Sequence, residues 1–201
     1  NPGKPLIAGT FDTAELATGI EASGDILFVT LRVFGVQIFD ISNPVKPKHL
    51  NLHRTFEAQS AYCANGILAV GDWGNSTVLL LDASDPARPK QLSRIELDGF
   101  GDGVYIQENI LYASPGHNSR KGTQKERKGA GHGLEIFDIS NPRAPERLGG
   151  VKFPKFYSLG GDFWTPRPAG PLLAAADTHN GLFLVDVRDR RNPRIHGRVI
   201  L

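Results

Sequence analysis

An all-β chain of repeated four-stranded units is predicted by three observations. A ten-residue phrase occurs four times, successive copies lie 42 to 56 residues apart, and each interval breaks into short apolar runs at turn residues. The phrase is Gly35-Val36-Gln37-Ile38-Phe39-Asp40-Ile41-Ser42-Asn43-Pro44, and it returns as Gly133-Leu134-Glu135-Ile136-Phe137-Asp138-Ile139-Ser140-Asn141-Pro142. Looser copies run from Thr77 to Pro86 and from Gly181 to Asp189, where Arg188 and Arg190 replace the serine and first proline. A second proline follows at Pro47, Pro89, Pro145 and Pro193, and Asn1-Pro2-Gly3-Lys4-Pro5 opens the chain as the same turn. The turn marks Asn1, Asn43, Asp85, Asn141 and Asp189 are 42, 42, 56 and 48 residues apart, so the third and fourth units carry insertions of 14 and 6. One domain over 1–201 is expected, with units 1–42, 43–84, 85–140 and 141–188 and a remnant strand 189–201.

In the first unit the strands are read as Pro5–Phe11, Ala17–Glu21, Ile26–Thr30 and Val36–Ile41, separated by turn signals such as Ser23-Gly24-Asp25. The Val36–Ile41 type is apolar at nearly every position, which requires burial on both faces, as in a small sheet stacked between two others. Helical periodicity is absent at useful length. Units of this size with four antiparallel strands are the blades of a β-propeller. About four blades are present, read as an arc of a larger propeller rather than a closed four-bladed ring. Such an arc exposes two apolar blade faces that need covering by a protein partner or by remaining blades of the same protein. Methionine is absent even at position 1, so the chain is expected to be a processed or partial stretch of something longer.

The phrase with its two prolines resembles the LVIVD repeat, a propeller family of bacterial and archaeal proteins, many secreted or surface-attached. The resemblance runs through four copies and implies an extracytoplasmic location: secreted, periplasmic or cell surface. It implies little about activity, because that family is defined mainly by its repeat. The turns are also distantly similar to those of methanethiol oxidase and selenium-binding proteins, whose His-rich metal motifs are missing here.

Composition excludes several classes. The chain has 201 residues, 40% hydrophobic and 22% charged, with 23 Lys+Arg against 21 Asp+Glu for a net charge of +2. That balance gives no footprint for nucleic acid, and no apolar run is long enough to span a membrane. Cys63 alone rules out an internal disulfide and reads as a small buried hydrophobe on a channel-lining strand. Neither a nucleophile elbow nor a phosphate-cradling loop is present, and no catalytic set is assigned.

The recurring Asp40, Asp82, Asp138 and Asp186 read as structural turn residues, each accepting backbone N–H groups just before a tight turn. They are expected on the disc face away from the ligand loops. Those loops are Arg32–Gly35, Asp72–Thr77, Ser114–Gly133 and Asp177–Gly181. The long one (114–133) carries Arg120, Lys121, Lys125, Arg127 and Lys128 against Glu126 alone. It reads either as a solvated mobile loop or as a basic arm toward an acidic protein, a phosphate-bearing ligand or an anionic polymer. Trp73 shares that face, to stack on a ligand or to close the core. Trp164, in the Pro-rich stretch 162–168, is expected on the opposite side as part of a cap.

The leading expectation is a noncatalytic binding or assembly module, a scaffold presenting its loop face to a protein or cell-surface polymer, with no cofactor. The alternative is a metal-dependent enzyme holding a divalent metal at the channel mouth through Asp72, His117, His132, Asp177 and His179. His49, His53 and His196 are expected on outer strands.

Overall fold

The computed structural model describes residues 3–7, 9–157 and 164–200, with the side chain of residue 164 outside the description. Among the described residues sixteen strands form four sheets of four, each antiparallel and in chain order from the innermost strand outward. Blade 1 holds β1 (Gly19–Ser23), β2 (Ile26–Thr30), β3 (Val36–Asp40) and β4 (Lys48–His53). Blade 2 holds β5 (Ala58–Ala64), β6 (Ile67–Asp72), β7 (Thr77–Asp82) and β8 (Lys90–Glu96). Blade 3 holds β9 (Phe100–Gln107), β10 (Ile110–Gly116), β11 (Gly133–Asp138) and β12 (Glu146–Lys152). Blade 4 holds β13 (Trp164–Ala169), β14 (Leu172–Asp177), β15 (Gly181–Asp186) and β16 (Arg194–Val199). Innermost strands pack side by side, β1 on β5, β5 on β9 and β9 on β13.

The blades are offset by one strand from the sequence units. The acidic turn lies within a blade, joining its third and outermost strands. Residues 5–7 and 9–11, expected as a strand, form none among the described residues. They run instead beside blade 1, where the Phe11 ring sits 4.9 Å from that of Phe39.

Each turn is built alike. Asp40, Asp82, Asp138 and Asp186 accept the backbone N–H two residues on, at 2.9, 3.1, 2.8 and 3.1 Å. The next mark residue closes the chain with its carbonyl, as in Lys46 N to Asn43 O and Arg88 N to Asp85 O. Hydrogen bonds from the side chains of Ser42, Ser84, Ser140 and Arg188, and secondly these backbone bonds, hold all four aspartates below their ordinary value, Asp186 at about 2. Every pairing of third with outermost strand also shifts register once, a bulge after Ile38, Leu80, Ile136 and Leu184.

Core packing follows the stack. Phe28, Val36 and Ile38 of blade 1 meet Leu68 and Val70 of blade 2. Val78 and Leu80 meet Val104 and Ile106 of blade 3, and Leu134 and Ile136 meet Phe183 and Val185 of blade 4. Strands β7 and β11 are therefore buried on both faces, as their unbroken apolar runs predict. Strand β15 instead alternates buried and half-buried residues, because its forward face is open. Cys63 is half-buried on β5, and its thiol is pushed up by burial. His49 and His53 lie on β4 and His196 on β16, all outermost strands. No helix among the described residues is long and apolar enough to cross a membrane.

Candidate functional site

The β2–β3, β6–β7, β10–β11 and β14–β15 loops emerge on one face, opposite the acidic turns. The connections between blades emerge there too, which corrects the place expected for Trp164. Its backbone pairs with Asp177 at the loop-face end of β13. The rest of the supposed cap is the strand itself, where Pro166 and Pro168 are tolerated because β13 is an inner edge with a free side. Residues 162 and 163 lie outside the described residues.

Two of these loops share an Asp-x-x-Asn pattern, and in both the aspartate is occupied locally. Asp72 accepts from Glu57 N at 2.6 Å and from Asn75 Nδ2 at 2.8 Å. Asp177 is fully buried and accepts from Asn180 Nδ2 at 2.6 Å and from His132 Nδ1 at 2.5 Å. The second contact fixes the imidazole with its proton on Nδ1 and ties the start of β11 to the end of β14, blade to blade. His179 is exposed, and the rings of His117 and His132 lie 6.3 Å apart. Of the five metal candidates the structure thus joins His132 with Asp177. Among the described residues no three His, Cys, Asp or Glu side chains gather as a metal site.

The basic insertion is held by hydrogen bonds along its length. Thr123 caps a one-turn helix, α1 (Gln124–Arg127), in a reciprocal capping box with Glu126. Arg127 closes the loop on itself, donating from Nε to Ser119 O at 2.6 Å and accepting from Ser119 N at 3.0 Å. Asp98, in the connection before β9, anchors it by accepting from Ser119 Oγ at 2.7 Å and Arg120 N at 2.9 Å. Burial alone raises the Asp98 pKa, but these bonds and Lys152 at 3.1 Å bring it below the ordinary value. On the other side Phe156 N donates to Gly129 O at 2.9 Å, and Lys155 Nζ donates to Lys125 O at 3.1 Å. Polar contacts do what the absence of apolar residues in the loop left open.

Beneath it runs a chain of rings. Trp73 is half-buried against Phe100 at 4.3 Å and His117 at 5.5 Å, so it closes the core rather than offering a free ring. His117 continues to Tyr157 at 6.3 Å, and Lys128 Nζ lies 4.2 Å from the Tyr157 centroid. Here a cleft of about 390 Å³ opens, lined among the described residues by Asn118, Gln124, Arg127, Lys128 and Tyr157. Asn118 Oδ1 is buried there with no hydrogen-bond partner among the described residues. Of the six ligand-face residues expected, Arg127 and Lys128 line the cleft. Arg120 is paired with Glu96, and Lys121 and Lys125 are exposed outside it. Tyr157 escaped the sequence reading because it belongs to an inter-blade connection whose face was misjudged.

Comparison with known proteins agrees with this architecture. The LVIVD repeat matches residues 16–51 and 130–151. No curated protein matches the chain. Among solved structures, a Bacteroides uniformis protein assigned as a 6-phosphogluconolactonase superposes with a TM-score of 0.68 at 13% identity, covering 92% of this chain and 55% of its own. A functionally unknown protein from Desulfotomaculum acetoxidans gives 0.65 at 12% identity, covering 91% and 55%. The computationally designed Ika4 protein gives 0.52 at 10%, covering 98% and 100%. The chain thus spans about half the length of either natural protein, and at these identities the likeness is one of fold.

Proposed function

We propose that this chain, a β-propeller carrying LVIVD repeats, is a noncatalytic binding scaffold whose loop face takes an anionic cell-surface polymer at the Tyr157 cleft. The observation that carries the reading is the cleft itself, where two cations, the Gln124 amide and an aromatic ring stand together. An acidic sugar needs that mixture. Its carboxylate or sulfate pairs with Arg127 and Lys128, its hydroxyls meet the Gln124 amide, and its apolar ring face lies on Tyr157. The anchored loop loses little entropy on binding, which is what preordering by Asp98 contributes. An extracytoplasmic location goes with this reading, since surface polymers are met there.

Titration calorimetry against alginate, a uronate polymer, tests it. Binding is expected to weaken as salt rises. The double variant Arg127→Glu/Lys128→Glu should lose at least about tenfold in affinity, equivalent to about 1.4 kcal/mol. Unchanged affinity in that variant, or no binding by the parent protein, contradicts the proposal. Tighter binding to polyglutamate than to alginate points to an acidic protein instead.

A further inference from the structure

Blade 4 has a forward face built for something to pack against. In blades 1 to 3 the forward pairs Val36/Ile38, Val78/Leu80 and Leu134/Ile136 are wholly buried by the next blade. The matching pair Leu182/Leu184 is half-exposed, and Val199, opposite Leu182, is 46% exposed. A second observation says what is expected there. The outermost-strand residue paired just before each bulge is Asn51, Ser93, Gly149 and Gly197 in turn. The first three touch the acidic turn of the next blade. Asn51 Nδ2 donates to Ala87 O at 2.9 Å, and Ser93 Oγ donates to Pro142 O at 2.7 Å. Gly149 lies so close that a Cβ would stand 2.5 Å from Arg190 O. Gly197 has the same missing side chain, yet a Cβ there meets nothing within 4 Å.

We propose that the forward face of blade 4 is a docking surface for one further blade of the same repeat, whose acidic turn seats a carbonyl against Gly197. The apolar pair then becomes buried like its three predecessors, continuing the inter-blade interface already present. A second copy of this chain does not fit as it stands. Among the described residues the blade 1 turn is the one that no other blade covers, and it is already met by Gly9, one 42-residue period before Asn51, whose built Cβ lies 3.6 Å from Val45 O. Phe11 covers the adjoining Phe39.

The chain can be made to carry a free turn of the required kind. Deleting residues 1–16, or substituting Phe11→Asp in the complete chain, uncovers blade 1. In analytical ultracentrifugation the complete chain should sediment as a monomer. The uncovered forms should associate head to tail to at least about twice that mass. Adding Gly197→Arg should abolish the association while leaving the circular dichroism spectrum unchanged. Should the deletion fail to fold, the Phe11→Asp chain decides alone. Uncovered chains that stay monomeric, or that associate equally with Gly197→Arg, overturn the proposal. A complete chain that already dimerises through Gly197 overturns it as well, by making a second copy the occupant.

Discussion

Asp82 does its work two residues away, holding both the N–H and the hydroxyl of Ser84. Because its pKa and those of Asp40, Asp138 and Asp186 are depressed in the folded chain, their hydrogen bonds stabilise the fold fully above the unfolded carboxylate value of about 4. That stabilisation is lost as pH falls through the folded values, Asp186 last at about 2. Urea midpoints measured downward from pH 5 should therefore drop across this window, and the drop should be shallower in Asp186→Asn. The glycine pair gives a sharper contrast. Gly149→Ala should cost about 1–3 kcal/mol, since backbone oxygens at 2.5 and 2.7 Å would have to move. Gly197→Ala, facing open space, should stay within about 0.5 kcal/mol of the parent. His132→Ala should cost about 3 kcal/mol by stripping the buried Asp177 of a donor.

At the scale of elements, the strands and acidic turns were legible because each is specified locally. A doubly apolar run such as Thr77–Asp82 can only be a buried strand, and Asp-x-Ser needs no distant partner to make its turn. The loops were not, because their order comes from across the fold. Nothing near residues 119–120 in sequence announces Asp98, and nothing in Asp72 or Asp177 separates a metal ligand from a carboxylate occupied by an asparagine three residues on. The phase of the blade was misread for a related reason: turn-to-turn repeats are visible in sequence, whereas sheet membership is set by hydrogen bonds. Asp98→Ala should release the basic loop without unfolding the blades. Hydrogen exchange should then speed up at the amides of Ser119 and Arg127 and remain slow at Leu79 and Ile136.

For the whole molecule, the fold separates two tasks onto opposite faces. Bulged, stapled turns fix the spacing of the blades on one face. The basic loop and the inter-blade connection at Tyr157 build, on the other, the cleft proposed to bind. Hydrogen-exchange mass spectrometry of the complete chain, with and without alginate, tests that division most directly. The account predicts added protection confined to residues 117–132 and 153–157, with the turns at 40–47, 82–89 and 138–145 unchanged. Protection at the turns, or none in the loop, would contradict it.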